Sequence, residues 1–201
     1  MKNNQFGRSM IEMLGVLAII GVLSVGGIAG YSKAMMKFRV NKTVDQVAQI
    51  TTNMRTFFSS QSDYSGLGSN AVYLIRKAKI APTEMHDTSS SGIRNPFGGW
   101  VWGSYSGKTS SSDSRAFTIT FSEVPEEACL ELAVLDWGAG SGSGLVAFGV
   151  NSDVGSIYVN NTGSTNVATP YSTNYPIPMK PSSAIVACQA GTNNTLYWKF
   201  Y

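Results

Sequence analysis

From Met13 to Ser32 the sequence carries no charged side chain. That is about the 20 apolar residues an α-helix needs to cross the hydrocarbon core of a bilayer. A single carboxylate, Glu12, stands at the mouth of the run, with the basic Arg8 four positions before it. An ionisable group at the edge of a membrane-length segment is costly in lipid and by default marks a function. The structural alternative is an ordinary helix-start acid favoured by the macrodipole.

The surrounding residues narrow the choice. Gly7-Arg8-Ser9-Met10-Ile11-Glu12 resembles the processing site of type IV prepilins, in which a short leader ends in Gly and Glu is the fifth residue of the mature chain. The resemblance implies a leader of residues 1–7, cut between Gly7 and Arg8 by a membrane aspartic peptidase, and N-methylation of the new terminus at Arg8. It implies that Glu12 sets subunit register in a filament by pairing with the α-amino group of a neighbouring copy. A carboxylate among packed apolar helices must find a partner or take up a proton, and such a pair penalises wrong registers more than it stabilises the right one. A cleaved secretory signal, cut near Gly26–Gly30, is the competing account, but Glu12 would then open its apolar core. A plain membrane anchor explains the hydropathy and not the Gly7–Glu12 spacing.

The chain of 201 residues has room for one globular domain beyond this segment. No proline interrupts Ser9 to about Ser60, which reads as one long helix of roughly 75–80 Å. Residues 8–32 form its hydrophobic half, for membrane and polymerisation. From Lys33 the pattern turns amphipathic: Met36, Val40, Val44, Val47, Met54 and Phe58 recur at helical spacing and predict a face packed on a head domain within 33–201. Gly15, Gly21, Gly26, Gly27 and Gly30 weaken the apolar half by up to about 1 kcal/mol each relative to Ala.

Farther on, Asn70 is a candidate N-cap for a short helix over 71–79 that Pro82 ends. The spacing predicts strands at 101–105, 116–121, 145–150, 156–160 and 195–201, with 116–121 half-buried and Asn151–Gly155 a hairpin turn. Pro125, Glu126 and Glu127 open a helix running to about Trp137. Residues 83–94 read as loop, Lys108–Ser114 as a flexible tip, Gly138–Gly144 as a hinge-like loop and 161–183 as mostly irregular.

Asn95-Pro96-Phe97-Gly98-Gly99, Ala116-Phe117-Thr118-Ile119, a helix bearing Cys129 and Leu132, and a late Cys188 together resemble the type IVb pilins, among them toxin-coregulated, bundle-forming and conjugative thin-pilus subunits. The resemblance covers most of the chain. It implies an α+β fold: a long N-terminal spine helix, an antiparallel β-sheet head and a disulfide-closed region, here 129–188. The seven-residue leader is shorter than is usual in that group, and Arg8 stands where the family usually has an apolar residue. Two cysteines in an exported domain read as one disulfide, Cys129–Cys188, the alternative being two buried thiols.

Nothing in the sequence converges on catalysis. His86 is the only histidine, in a polar loop, and reads as solvated. No second histidine or free thiol completes a metal or nucleophile set. Asn151, Asp153 and Gly155 faintly resemble a calcium loop but lack its further acids. A formal net charge of +3 is too small to imply nucleic acid. No cofactor and no metal are expected. The expected partners are other copies of the chain in a homopolymer, the prepilin peptidase, the assembly machinery of the bacterial inner membrane, and lipid before assembly; the final location is an extracellular pilus. A minor pilin or secretion pseudopilin is the near alternative, and an anchored extracellular binding domain the distant one.

Overall fold

Helix α1 runs without a break from Phe6 to Phe57. The computed structural model describes residues 6–68, 70–138, 143–159 and 161–201, with side chains from Met10 onward. The chain divides into two units, one ending at Phe38 and one spanning Arg39–Tyr201. In the first, the apolar residues from Met10 to Tyr31 are exposed.

In the second unit α1 becomes a core helix. Val40, Val47, Ile50, Met54 and Phe58 are buried at three-to-four spacing. The sequence expectation holds at Val40, Val47, Met54 and Phe58, while Met36 and Val44 are half-buried. Thr43, Gln46 and Thr51 also turn inward; the Thr43 hydroxyl donates to Arg39 O at 2.9 Å and Gln46 Nε2 to Glu84 Oε1 at 3.3 Å, while Gln46 Oε1 and Thr51 Oγ1 are buried without a hydrogen-bond partner among the described residues.

The other elements are α2 (Ala71–Lys77), β1 (Val101–Ser106), β2 (Ala116–Val124), α3 (Glu126–Ala133), β3 (Leu145–Val150), β4 (Val167–Ala168), α4 (Pro181–Ala187) and β5 (Asn194–Phe200), with single 3-10 turns at Ser65–Leu67 and Thr83–Met85. The strands form one antiparallel sheet in the order β1-β2-β5-β3-β4. Thus the last strand lies at the centre. Phe117, Ile119, Phe121, Leu196, Trp198 and Phe200 share one face by register. Thr118, Thr120, Tyr197 and Lys199 share the other.

Several expectations are corrected. Strand β2 is buried on both faces, with Thr118 at 6% and Thr120 at 2% exposure. Residues 156–159 are not a strand and Asn151–Gly155 is not a hairpin turn; β3 pairs instead with β4 and β5. The intervening segment crosses the sheet's second face as a strap. Val154 and Val167 pack on Ala147 there, with Ile157 and Tyr197 against them. Lys199, fully buried, donates from Nζ to Gly155 O at 2.8 Å and Ile157 O at 2.6 Å, and Ser106 Oγ donates to Gly155 O at 2.6 Å. The strap spends its carbonyls on side chains rather than on a ladder, which is why alternation misreads it.

Helix α3 stops at Ala133 rather than Trp137, because Met179 N–H donates to Ala133 O at 3.1 Å and the Trp137 indole N–H donates to Leu132 O at 2.9 Å. Asn70 makes no side-chain cap bond. The tip at 108–114 is built, not slack. Asp113 accepts from Lys108 N, Thr109 N, Thr109 Oγ1 and Arg115 N. Burial pushes its carboxyl up, but those bonds outweigh this and hold it below the usual range. Segment 161–183 contains β4 and the start of α4. Of the expected hinge at 138–144, residues 139–142 lie outside the described residues.

Two outcomes are expected. Burial holds Lys199 down to about 8, against the upward pull of Asp113 and Asp153. The folded chain therefore binds this proton less readily than the unfolded chain, and stability rises from about pH 8 towards the ordinary lysine value of about 10.4. Urea unfolding followed by tryptophan fluorescence in detergent should show a rise of about 1–3 kcal/mol across that window, absent in Lys199→Met. Separately, Cys129→Ser/Cys188→Ser opens a loop of sequence separation 59 and should cost about 4 kcal/mol in the chain-entropy account, read as a lower urea midpoint.

Candidate functional site

The segment singled out by sequence is an unpartnered helix surface. Twelve large apolar side chains between Met10 and Ile28, including Ile11, Leu14, Leu17 and Leu23, are 52–77% exposed. Each such side chain gains about 1.5–3 kcal/mol on leaving water completely, so the surface calls for lipid or another protein. An added Cβ at Gly15, Gly21, Gly26, Gly27 or Gly30 would meet nothing within 4 Å. No contact among the described residues explains these five glycines, although each costs helix stability. Glu12 is exposed, with no ion pair or hydrogen bond among the described residues. Gly7 and Arg8 lie in the first turns of α1, and their side chains are outside those described.

Cys129 and Cys188 form a disulfide, with S–S 2.01 Å and Cα–Cα 5.9 Å. It ties the first turn of α3 to the residue after α4. Beside it, Asn194 is fully buried: its Oδ1 accepts from Gln189 N and Asn151 Nδ2, and its Nδ2 donates to Val124 O and Gln189 O. Asn151 Oδ1 in turn accepts from Thr195 N. Asn151 is thus a brace between strand ends, and Asp153 Oδ1 accepts from Gly155 N at 2.9 Å; the residues that resembled a calcium loop are engaged in turns. Among the described residues no group of three His, Cys, Asp or Glu side chains is placed to hold a metal.

His86 is half-buried rather than solvated. Its backbone bridges to Ile93, and its Nε2 is buried without a hydrogen-bond partner. The loop around it is fixed by Arg76, whose Nη1 donates to Asp87 O, Ser90 O and Gly92 O. Hydrogen bonds from Ser89 and Ser90, with Arg94 at 3.2 Å, hold the Asp87 carboxyl far below the usual range. These side chains organise a loop. Sequence reasoning missed Asn194, Lys199 and the exposed Ile185 and Val186 of α4. Only the buried lysine left a signal, as a lone charge inside an aromatic strand.

Comparisons with known proteins agree with this architecture. The sequence model of the Bundlin family matches residues 33–200. The major structural subunit of the bundle-forming pilus of Escherichia coli O127:H6 (strain E2348/69 / EPEC) is 26% identical over 150 residues, covering 75% of this chain and 72% of that one. The toxin coregulated pilin of Vibrio cholerae serotype O1 (strain ATCC 39315 / El Tor Inaba N16961) is 24% identical over 132 residues, 65% of this chain and 58% of that one. A type IVb pilin from Salmonella typhi superposes with a TM-score of 0.53 at 19% identity, covering 79% of this chain and 97% of that one. TcpA, a type IV pilin from Vibrio cholerae El Tor biotype, gives 0.53 at 11%, covering 81% and 99%. With a family match over most of its length and the long helix and antiparallel sheet of these structures, the chain belongs to the Bundlin family of structural pilins.

Proposed function

We propose that this pilin is made as a prepilin, held in the bacterial inner membrane by residues 8–32, cut between Gly7 and Arg8, and polymerised into an extracellular type IVb-like pilus. The observation that carries the reading is the exposed apolar helix with one acid at its mouth, neither of which finds a partner among the described residues. Lipid covers that surface before assembly and neighbouring helices cover it afterwards. The glycines allow close approach of neighbours in either setting.

Glu12 gives the assembly its register. A carboxylate withdrawn from water needs a cation or a proton. The α-amino group released at Arg8 supplies the cation, four residues away in sequence but on another copy. A subunit that stops one step short leaves both charges unpaired, so wrong positions are rejected more strongly than the right one is stabilised. The peptidase and the assembly machinery act on the chain; its own contribution is mechanical.

Glu12→Ala should leave membrane insertion intact and abolish fibres, scored by fractionation and by electron microscopy of sheared material. Normal fibres from that variant would remove the register role. The membrane-extracted chain should begin at Arg8 and be one methyl group heavier than its sequence, by intact mass. An unprocessed chain in cells with an active prepilin peptidase would make it a plain anchored protein.

A further inference from the structure

As a helix, the apolar run from Met13 to Ser32 spans about 30 Å, the thickness of a bilayer's hydrocarbon core. The residues at its head-side end change character at once. Tyr31 is 67% exposed and Phe38 59%, and Lys33 and Lys37 between them are exposed as well. All four stand on α1 within the first unit. Lys33 and Lys37, four apart, share one side of the helix; Tyr31 and Phe38, seven apart, share another. Neither lysine is in an ion pair among the described residues.

The charge pattern around them is one-sided. Residues 13–44 contain no acid, and their bases, Lys33, Lys37, Arg39 and Lys42, all lie on the head side of the apolar run. The opposite flank carries Lys2 and Arg8. Basic residues beside a membrane segment favour the side that is not exported, so with an exported head this cluster works against the orientation and needs another reason. Lys42 has one, an ion pair with Glu84 at 3.2 Å. Lys33 and Lys37 do not. Their separation along the axis is about 6 Å, close to the depth of one headgroup layer. A lysine stem can lie on apolar surface while its ammonium stays among the headgroups, and tyrosine prefers that same layer.

We propose that Tyr31, Lys33, Lys37 and Phe38 form a collar that binds the phosphates of anionic phospholipids on the head side of the membrane. The proposal rests on the reading that residues 8–32 lie in the inner membrane, and adds the leaflet, the lipid class and the residues that hold it. Two ammonium groups with no acid on the neighbouring turns favour a lipid of net negative charge over a zwitterionic one. The rings fix how deep the collar sits, and the lysines choose the lipid. A subunit that leaves the bilayer gives up these contacts, so anionic lipid retains it more firmly than zwitterionic lipid does.

The test puts the full chain in phosphatidylcholine vesicles. Electron spin resonance then reads how strongly it immobilises spin-labelled phosphatidylglycerol relative to spin-labelled phosphatidylcholine. The parent is expected to favour phosphatidylglycerol by at least about threefold at low salt, and by less at high salt. Lys33→Gln/Lys37→Gln is expected to lose most of that preference and Lys33→Arg/Lys37→Arg to keep it. Lys77→Gln/Lys79→Gln, which removes the same charge from the head, is expected to keep it too. Equal immobilisation of both lipids by the parent assigns the collar to water or to another protein surface and overturns the proposal. So does a glutamine pair of parental helicity that keeps the preference, an arginine pair that loses it, or a head variant that loses as much. Each of these outcomes leaves the membrane reading standing. A chain that immobilises neither lipid overturns that reading, and the collar with it.

Discussion

The head depends on the seam between the second half of α1 and the first face of the sheet. Aromatic rings run through it in series: Phe58 to Tyr64 at 5.2 Å, Tyr64 to Phe117 at 4.8 Å, Phe117 to Phe200 at 5.9 Å. The last two contacts join segments distant in sequence, so the seam forms only when helix, corner and sheet are all in place. Directional bonds fix its register. Arg55 Nη2 donates to Ser143 O at 2.6 Å and Tyr201 O at 2.8 Å, and Asn53 Nδ2 to Ile80 O at 3.0 Å. Burial supplies the energy and these bonds the position, since apolar contact alone is non-directional.

The sheet's other face and the α3–α4 pair are secured by different chemistry, because little apolar surface is left for them. The strap is fastened by a buried amine, and strand ends 124, 151, 189 and 194 by a buried amide network. Such groups are tolerable only when fully bonded. Asn194 meets that condition on both its oxygen and its nitrogen. The disulfide joins α3 to the residue after α4, two short helices. Noncovalent burial, polar braces and a covalent link thus each serve where the one before runs out.

The sequence was readable where periodicity reports burial. The long helix, most of its inner face, the central aromatic strand and the acidic start of α3 were all legible, because a side chain's spacing there decides what it touches. It was unreadable where one side chain satisfies the backbone of a remote segment. Nothing local to Gly155 or Ile157 announces that Lys199, some forty residues on, will take their carbonyls, so the strap passed for a hairpin. Thr118 and Thr120 read as a wet face because threonine suits either environment, and they are buried in the fold. At the candidate site the motif from Gly7 to Glu12 was legible because it is a local signal. The exposure of Ile185 and Val186 was not: Ser-Ala-Ile-Val-Ala does not say which side of a short helix faces in until the disulfide fixes it.

Two kinds of unsatisfied surface therefore coexist in one chain, and they suit different tasks. The helix surface from Met10 to Ile28 is apolar all round and carries one charge. Lipid and protein can both cover it, so alone it would fix neither neighbour nor rotation; in the proposed function Glu12 adds a restriction on axial position. The head exposes only small apolar patches, Ile185 with Val186 on α4 and Tyr73 beside Lys77 on α2, too slight to hold a filament. A pilin subunit whose helix is covered first by lipid and later by its neighbours, as proposed, needs that interaction to be unspecific enough for both. Specificity then has to come from contacts made only in the fibre, and the head is where the chain can put them.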